Sequence, residues 1–279
     1  MTGPLIITVA AVGAELTREQ QPSLPITAEG LGRDAEQCAE AGASIYHLHV
    51  RDESGAPTMD VGAFEVAKQT IEDRTDLIVQ FTSGGSTSDT ENERIGPLEL
   101  RPEMASLTTG TVNFGDEVFS NAVPLIRAFY ERMRALDILP EFEIFEPGMI
   151  ATADRLYEEA GADHHRHYDF VLGVPGAMPA WDDSVEFLAR HVPEGATWSA
   201  TGIGRHHIPV AEAAIALGGH VRTGFEDVRY FAPGRLAESN SQLIERVAEM
   251  ARAAGRRVAT PSETRQLLGL NDRRGTLEP

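Results

Sequence analysis

Short apolar runs rich in β-branched residues alternate along this chain with longer segments whose apolar positions recur at helical spacing. The short runs predict strands at residues 5–12, 44–50, 77–82, 104–109, 141–146, 169–174, 197–202 and 220–226. The longer segments predict helices at residues 28–41, 62–73, 117–135, 151–160, 182–191, 209–217 and 235–254. The alternation of strand and helix, repeated from one end of the chain to the other, indicates an α/β protein.

Eight strand-helix units in 279 residues predict a parallel (β/α)8 TIM barrel. No linker rich in proline, glycine or serine divides the chain, so we predict one domain over residues 1–279, with residues 255–279 as a C-terminal extension. An open, doubly wound sheet is the alternative architecture. The barrel is favoured because polar residues gather at the C-terminal ends of many strands, where barrels build their active sites.

Composition narrows the class of partners. The formal net charge of −19 argues against nucleic acids and anionic membrane surfaces, which both require a positive surface. No run approaches the roughly 20 apolar residues that a membrane span needs, and the apolar N-terminal run lacks the cationic segment of a signal peptide. We therefore expect a cytoplasmic protein. The single cysteine, Cys38, is interpreted as a small buried apolar residue.

The segment "IYHLHVRDE" places two histidines in a strand that is otherwise typical of a core. Because alternate strand residues share a face, His47 and His49 both project into the predicted barrel. Two neutral imidazoles at this spacing suit a divalent metal of the zinc class, although cobalt, manganese or nickel fits such ligands too. Taken alone, the pattern is equally compatible with two hydrogen-bonded core histidines.

The eighth strand, "GHVRTGFED", adds a carboxylate to this pair. Arg222 and Glu226 share one face of it, and Asp227 follows at the strand end. In a closed barrel this strand lies next to the first one, close to the histidines of the second. A His₂Glu set leaves an open coordination position, as in catalytic zinc sites. The alternative is that Glu226 forms a buried ion pair with Arg222 or Arg51.

Two loops have the composition of anion sites. In "FTSGGST" after strand three, the amides of Gly84 and Gly85 and the hydroxyl of Ser83 suit a carboxylate or phosphate, with Thr108 of strand four beside them. In "GIGRHHIP" after strand seven, three residues precede a helix and suit a phosphate-bearing cosubstrate such as a coenzyme A thioester. These three are Gly202, Gly204 and Arg205.

Further polar residues suggest a pocket for a substrate with a charged tail. Glu15 follows strand one and Glu143 faces inward from strand five, so an amine could be recognised there; a structural polar layer is the alternative for Glu143. The histidines in "DHHRHYDF", which are His164, His165 and His167, precede strand six. We expect them in an exposed loop at the opposite end of the barrel.

Together these segments resemble the β-keto acid cleavage enzymes. The similar pieces span nearly the whole chain: "ITVAAVGAE", "AGASIYHLHVRDESGAPT", "FTSGG", "PEMASLTTGTVNFGD", "PEFEIFEPGM" and "GGHVRTGFEDVRY". The resemblance implies a zinc-dependent (β/α)8 barrel, usually a homotetramer, that condenses a β-keto acid with acetyl-CoA to give acetoacetate and a new acyl-CoA.

The resemblance also implies a role for each candidate residue. His47, His49 and Glu226 would bind zinc, and Arg222 with Asp227 would handle the proton. The keto acid carboxylate would bind at Ser83, Gly84, Gly85 and Thr108, and Glu15 and Glu143 would select the tail of the substrate.

Three other hypotheses are compatible with the same residues. Metal-dependent hydrolase barrels carry a His-x-His pair, but typically on strand one, whereas here it lies on strand two. A metal-dependent aldolase or acyl-CoA lyase would cleave its substrate without acetyl-CoA. A barrel that only senses an anionic metabolite would not require the Arg222 and Asp227 pair.

Overall fold

Eight parallel strands close into a barrel in the computed structural model, which describes residues 3–271. In chain order, β1 to β8 are Ile7–Ala10, Ile45–Leu48, Ile78–Phe81, Met104–Thr108, Leu139–Ile144, His167–Leu172, Thr197–Gly202 and His220–Thr223. Each strand pairs with its neighbours in sequence, and β8 pairs with β1 to complete the ring. The predicted TIM barrel is therefore confirmed, and the open sheet is excluded.

Helices surround the ring on its outer face. In chain order, α1 to α9 are Ala28–Ala41, Val61–Glu72, Glu91–Ile95, Val123–Ala135, Gly148–Glu159, Ser184–Ala189, His207–Leu217, Asn240–Ala253 and Pro261–Leu268. Short 3₁₀ turns cover Gly96–Leu100 and Gly204–His206. Within residues 3–271, every helix is too short or too polar to cross a lipid bilayer.

Local signals explain where these helices begin and end. The Thr27 hydroxyl accepts the N–H of Gly30 at the start of α1, and Gly42 ends the helix with φ 113°. Two helices, α4 and α8, start five or six residues later than predicted because the residues before them form hairpins. Glu117–Phe119 pairs with Val112–Phe114 before α4, and Arg235–Leu236 pairs with Tyr230–Ala232 before α8.

The barrel interior is apolar at its amino end and polar above it. One buried apolar cluster closes the amino end and is called the floor of the barrel; its members are Ile6, Ile45, Ile78, Met104, Leu139, Ala259 and Leu268. Part of the predicted C-terminal extension supplies the last two, because Val258 bridges to Leu5 and α9 packs beneath the strands. Residues 272–279 of that extension lie outside the described residues.

Seven of the eight strands end earlier than predicted, and in β2 and β8 this difference affects the candidate site. β2 ends at Leu48, so His49 follows the strand, and β8 ends at Thr223, so Glu226 lies in the turn after it. The Glu226 N–H donates to the Ala10 carbonyl over 3.1 Å. This bond attaches the turn to the end of β1.

Gly224 makes that attachment possible. A Cβ atom at this position would lie 2.1 Å from the Ala10 carbonyl oxygen, and 2.6 and 2.8 Å from two further backbone atoms of Ala10. Backbone atoms cannot move aside as a flexible side chain does. Only a glycine therefore allows the turn to approach β1 this closely.

We predict that Gly224→Ala lowers the free energy of unfolding by about 2–3 kcal/mol, as overpacking does. Urea denaturation of the variant and its parent provides the measurement. Gly148→Ala is the matched control, because nothing lies within 4 Å of a Cβ there. Its free energy of unfolding should change by less than about 1 kcal/mol. Equal midpoints for the two variants would contradict the close approach at Gly224.

Candidate metal centre and substrate pocket

His47, His49 and Glu226 converge at the carboxyl end of the barrel. The Glu226 Oε1 atom lies 3.8 Å from the Nε2 of His47 and 3.7 Å from the Nε2 of His49. One ligand atom from each residue lies within 4.8 Å of the other two. The strand order produces this convergence, because β1 is the single strand that lies between β2 and β8.

Both imidazoles are held in the form that binds a metal. Burial lowers the pKa of His47 and lowers that of His49 to about 3, so both rings are neutral near pH 7. Gln80 orients His47, because its Oε1 lies 2.7 Å from the His47 Nδ1. A proton on Nδ1 leaves the lone pair on Nε2, which faces Glu226.

Sequence reasoning missed Gln80. The available signal was its inward position on β3, in register with His47. Its Nε2 atom is buried and has no hydrogen-bond partner within residues 3–271. The side chain therefore serves His47 through its oxygen.

Glu226 is ionised and has one carboxylate oxygen without a hydrogen-bond partner among the described residues. Burial favours its protonated form, but the Arg222 guanidinium and the two imidazoles outweigh burial and lower the pKa of Glu226 to about 2. Oε1 accepts from Arg222 Nη2 over 2.5 Å, whereas Oε2 is buried without a partner in the described part of the chain. Two neutral imidazoles and a carboxylate with a free buried oxygen fit a catalytic zinc ion.

Arg222 is surrounded by carboxylates. Its guanidinium lies 3.1 Å from Asp227 Oδ1 and 3.4 Å from Glu143 Oε1, in addition to its contact with Glu226. Burial alone would lower the pKa of Arg222, but these carboxylates raise it well above its usual range. Burial raises the pKa of Asp227 to about 7 against the opposing effect of Arg222. In this pair the carboxyl group, not the guanidinium, is the one that can exchange a proton.

The geometry around Glu226 is compatible with both predicted roles of this residue, but the ion pair is with Arg222 and not with Arg51. Glu226 does form an ion pair with Arg222, and it also faces both histidines. Arg51 instead donates to the backbone carbonyls of Gly13, Leu16 and Gly55, at 2.7, 3.0 and 3.2 Å. These bonds hold the loop after β1, which carries the exposed Glu15.

A pocket opens beside these residues, and many of the predicted site residues line it. The lining includes Glu15, His47, His49, Gly84, Gly85, Glu143, Arg222, Glu226 and Asp227, together with the aromatic rings of Phe114, Phe119 and Phe145. Burial raises the pKa of Glu143 to about 7, although Arg222 opposes this rise. The pocket is thus acidic and aromatic, with one guanidinium at its base.

Ser83 and Thr108 differ from the prediction, since neither is among the described residues that line the pocket. The Ser83 hydroxyl donates to the Ser106 carbonyl over 2.6 Å, and the Thr108 hydroxyl donates to Glu143 Oε2 over 2.6 Å. Both hydroxyls are therefore directed into the pocket wall.

Thr82 takes the position at the pocket surface that was predicted for Ser83. Its hydroxyl accepts the N–H of Gly84 over 3.0 Å and that of Gly85 over 3.4 Å. Arg94 fixes this loop from behind by donating to the Ser83 carbonyl over 2.8 Å. The two glycine amides consequently converge on one point, as an anion site requires.

A second groove joins the pocket on the side of β7 and β8. Gly204 and Arg205, two of the three residues predicted to bind a phosphate, line it, and Arg229, Phe231 and Arg246 add charge and an aromatic ring. Gly202, the third of these residues, is not among the described residues that line the groove. It packs against the turn that follows it, since a Cβ there would lie 2.4 Å from the His206 carbonyl oxygen. The groove shares five lining residues with the pocket, which are Glu15, Leu16, Ile203, Glu226 and Asp227.

The three histidines lie at the amino end of β6 as expected, but none of them is exposed, and only His164 and His165 belong to the loop. His167 is the first residue of β6 and is fully buried, with its Nε2 3.2 Å from Glu141 Oε2. His165 Nε2 and His167 Nδ1 each lie 2.8 Å from the Thr197 hydroxyl, and His164 packs against two tyrosine rings. Their contacts are with neighbouring structural residues at the amino end of the barrel, away from the pocket.

The chain is similar to known proteins over almost its entire length. The sequence model for beta-keto acid cleavage enzymes matches residues 4–270. The 3-keto-5-aminohexanoate cleavage enzyme of Fusobacterium nucleatum is 45% identical over 272 residues, which cover 97% of this chain and 99% of that protein. The 3-oxoadipate:acetyl-CoA acetyltransferase of Cupriavidus necator is 37% identical over 273 residues, with 97% and 96% covered.

The fold is also found among solved structures. A ternary complex of ObcA with a C4-CoA adduct and oxalate superposes with a TM-score of 0.76 at 20% identity. The superposition covers 89% of this chain and 68% of that one. This similarity supports the barrel architecture.

We predict that Gln80→Leu weakens zinc binding about 10-fold or more, as the loss of a partner that orients a metal ligand does. Competition for zinc with a chromogenic chelator measures the dissociation constant. Gln21→Leu is the matched control, because Gln21 is equally buried but donates to the Ala237 carbonyl. A Gln80→Leu variant with the affinity of the parent would show that Gln80 does not orient His47.

Proposed function

Since the chain belongs to the beta-keto acid cleavage enzyme family, we propose that it is a zinc-dependent enzyme that condenses a β-keto acid with acetyl-CoA. The products are acetoacetate and a new acyl-CoA, so the enzyme is an acyltransferase that cleaves a carbon–carbon bond. The observation that carries this proposal is the convergence of two neutral imidazoles and a carboxylate with a free buried oxygen at the base of the pocket.

Zinc would be held by His47, His49 and Glu226. When bound, it would supply Lewis acidity toward a carbonyl oxygen of the substrate. Another divalent metal with the same ligand preference could take its place. The residues of the chain supply the remaining parts of the site.

The carboxylate of the keto acid is proposed to bind at the loop of Gly84 and Gly85. Both glycines line the pocket, and a carboxylate there would compete with the Thr82 hydroxyl for their amides. Ser83 and Thr108 would act through their own contacts, Ser83 by holding the loop against Ser106 and Thr108 by orienting Glu143.

The tail of the substrate is proposed to carry an amine. Glu15 and Glu143 line the pocket together with Phe114 and Phe119, and acidic and aromatic groups both attract a cation. A second carboxylate at the tail would be repelled by these groups.

Acetyl-CoA is proposed to bind in the second groove. Arg205, Arg229 and Arg246 offer positive charge to its phosphates, and the loop of Gly202 and Gly204 precedes the first turn of α7. Because the groove opens into the pocket at Glu226 and Asp227, a thioester bound there can reach the keto acid.

Arg222 and Asp227 are proposed to handle the proton. The two acyl groups exchange places between coenzyme A and the acetate unit, so any proton that is removed must be returned within the cycle. A group that holds it near the reacting carbon is therefore needed. The Arg222–Asp227 pair borders both the pocket and the metal ligands.

We also propose that the enzyme works in the cytoplasm as a homotetramer on these small molecules. The net charge of −19 and the absence of a bilayer-spanning helix in residues 3–271 support a protein that binds neither nucleic acid nor membranes. The tetramer rests on the family alone.

We predict that the zinc-loaded protein releases acetoacetate from acetyl-CoA and at least one member of a panel of β-keto acids. His49→Ala should abolish both the bound zinc and this release, because an imidazole ligand is lost. Metal analysis and an acetoacetate assay provide the two measurements. His191→Ala is the control, since His191 is exposed. Cleavage without acetyl-CoA would instead indicate a lyase, and retention of zinc by His49→Ala would refute the ligand assignment.

We predict that Glu143→Gln lowers kcat/KM for amine-bearing keto acids about 10- to 100-fold, which corresponds to a lost charge-assisted contact. Keto acids with neutral tails should be affected less, and zinc should stay bound. Glu146→Gln is the control, because Glu146 follows the same strand but is exposed. An unchanged substrate profile would assign Glu143 a structural role only.

A further inference from the structure

One carboxyl group on the outside of the barrel bonds to β2, which carries His47, and to the first residue of α8, which in turn bonds to the turn that carries Glu226. Asp34, on α1, accepts from the Tyr46 hydroxyl over 2.9 Å and from the Asn240 side-chain amide over 3.1 Å. Tyr46 directly precedes His47 in β2, and Asn240 is the first residue of α8. None of these three residues is among those that line the pocket within residues 3–271.

Both polar atoms of the Asn240 side chain form hydrogen bonds. Its Oδ1 accepts the N–H of Phe225 over 2.8 Å, and its Nδ2 donates to the Ala11 carbonyl over 3.1 Å as well as to Asp34. The Phe225 N–H can only donate, so the orientation of the amide is fixed. Asn240 is fully buried, which makes each lost bond costly.

These bonds reach both sides of the candidate metal centre. Tyr46 lies one residue before His47, and Phe225 lies one residue before Glu226. Between them stands β1, where Ala10 is in register with His47 and its carbonyl accepts from the Glu226 N–H. The cluster of Asp34, Tyr46 and Asn240 thus spans β1 on the face opposite the pocket.

We infer that Asp34, acting through Tyr46 and Asn240, is a positioning residue that sets the distance between the imidazoles of β2 and the carboxylate of Glu226. This inference rests on the metal site proposed above. A coordinated ion tolerates little change in the separation of its ligands. Loss of either link frees one ligand-bearing element to shift relative to the other.

The chain offers a conservative variant that retains both links. In Asp34→Asn, the amide oxygen can still accept from Asn240, and the new NH₂ group can donate to the Tyr46 hydroxyl oxygen. Asp34→Ala removes both links. If Asp34 positions the ligands, Asp34→Ala and Asp34→Asn should differ in zinc affinity, although both variants have lost the same charge.

The experiment measures zinc binding by the full chain, with a chromogenic chelator as the competitor. We expect Asp34→Ala to weaken the affinity about tenfold and Asp34→Asn to remain within about threefold of the parent, following the effect of outer-shell partners. The absorption spectrum of the cobalt-loaded protein should change in Asp34→Ala and stay as in the parent in Asp34→Asn. Tyr46→Phe, which removes only one hydroxyl, should give a smaller loss in the same direction.

Arg265→Leu is the matched control for a structural effect alone. Arg265 forms a buried two-point pair with Glu103, with both distances 2.6 Å, at the amino end of the barrel. Its loss should lower the melting temperature and leave the zinc affinity unchanged.

If Asp34→Ala also melts earlier but binds zinc as tightly as the parent, the inference is overturned. Should Asp34→Ala not fold, an unchanged affinity in Tyr46→Phe overturns it instead. A parent chain that binds no zinc would overturn the metal site and this inference together.

Discussion

The mouth of the barrel depends on one buried guanidinium. Arg222 lies within 3.4 Å of oxygens from Glu143, Glu226 and Asp227. Three carboxylates so close together would repel one another and take up protons if no cation stood between them. In a chain of net charge −19 the global field adds to that repulsion. Arg222 keeps Glu226 ionised, which is the form in which a carboxylate can bind a metal. The pocket and the candidate metal site therefore depend on the same guanidinium.

The geometry of the site depends on β1, which lies between the strand that carries His47 and the strand that precedes Glu226. β1 lies between β2 and β8, and small residues stand at its end and in the loop after it, where His47, His49 and Glu226 meet. A Cβ at Gly13 would lie 2.6 Å from the Glu226 Cγ, and Ala10 receives the turn that holds Glu226. A larger residue at either position would separate the carboxylate from the imidazoles. Closure of the ring and the small residues at the end of β1 and in the loop after it thus together bring Glu226 close to the two imidazoles.

Periodicity and strand order were sufficient to predict the barrel and the convergence of His47, His49 and Glu226. Details that depend on tertiary contacts were not accessible in this way. The Ser83 hydroxyl forms a bond to the Ser106 carbonyl, which only the packing of β3 against β4 creates. A shift of two residues in the start of β6 assigned His167 to a loop, although it faces inward. Asp34 and Asn240 are distant in sequence from every candidate ligand, so no motif could connect them to the site.

The polar interior is stable because the rest of the barrel compensates for it. Gln80, Glu141 and Asp169 are fully buried, and such groups cost free energy unless they are well partnered. At the amino end the apolar floor fills the barrel, and α9 covers that floor with Leu268. Arg222, Glu226 and Asp227 gather instead at the carboxyl end, where barrels build their active sites. The apolar floor and the charged mouth are therefore separate parts of one barrel, and none of these three residues of the mouth belongs to the floor cluster.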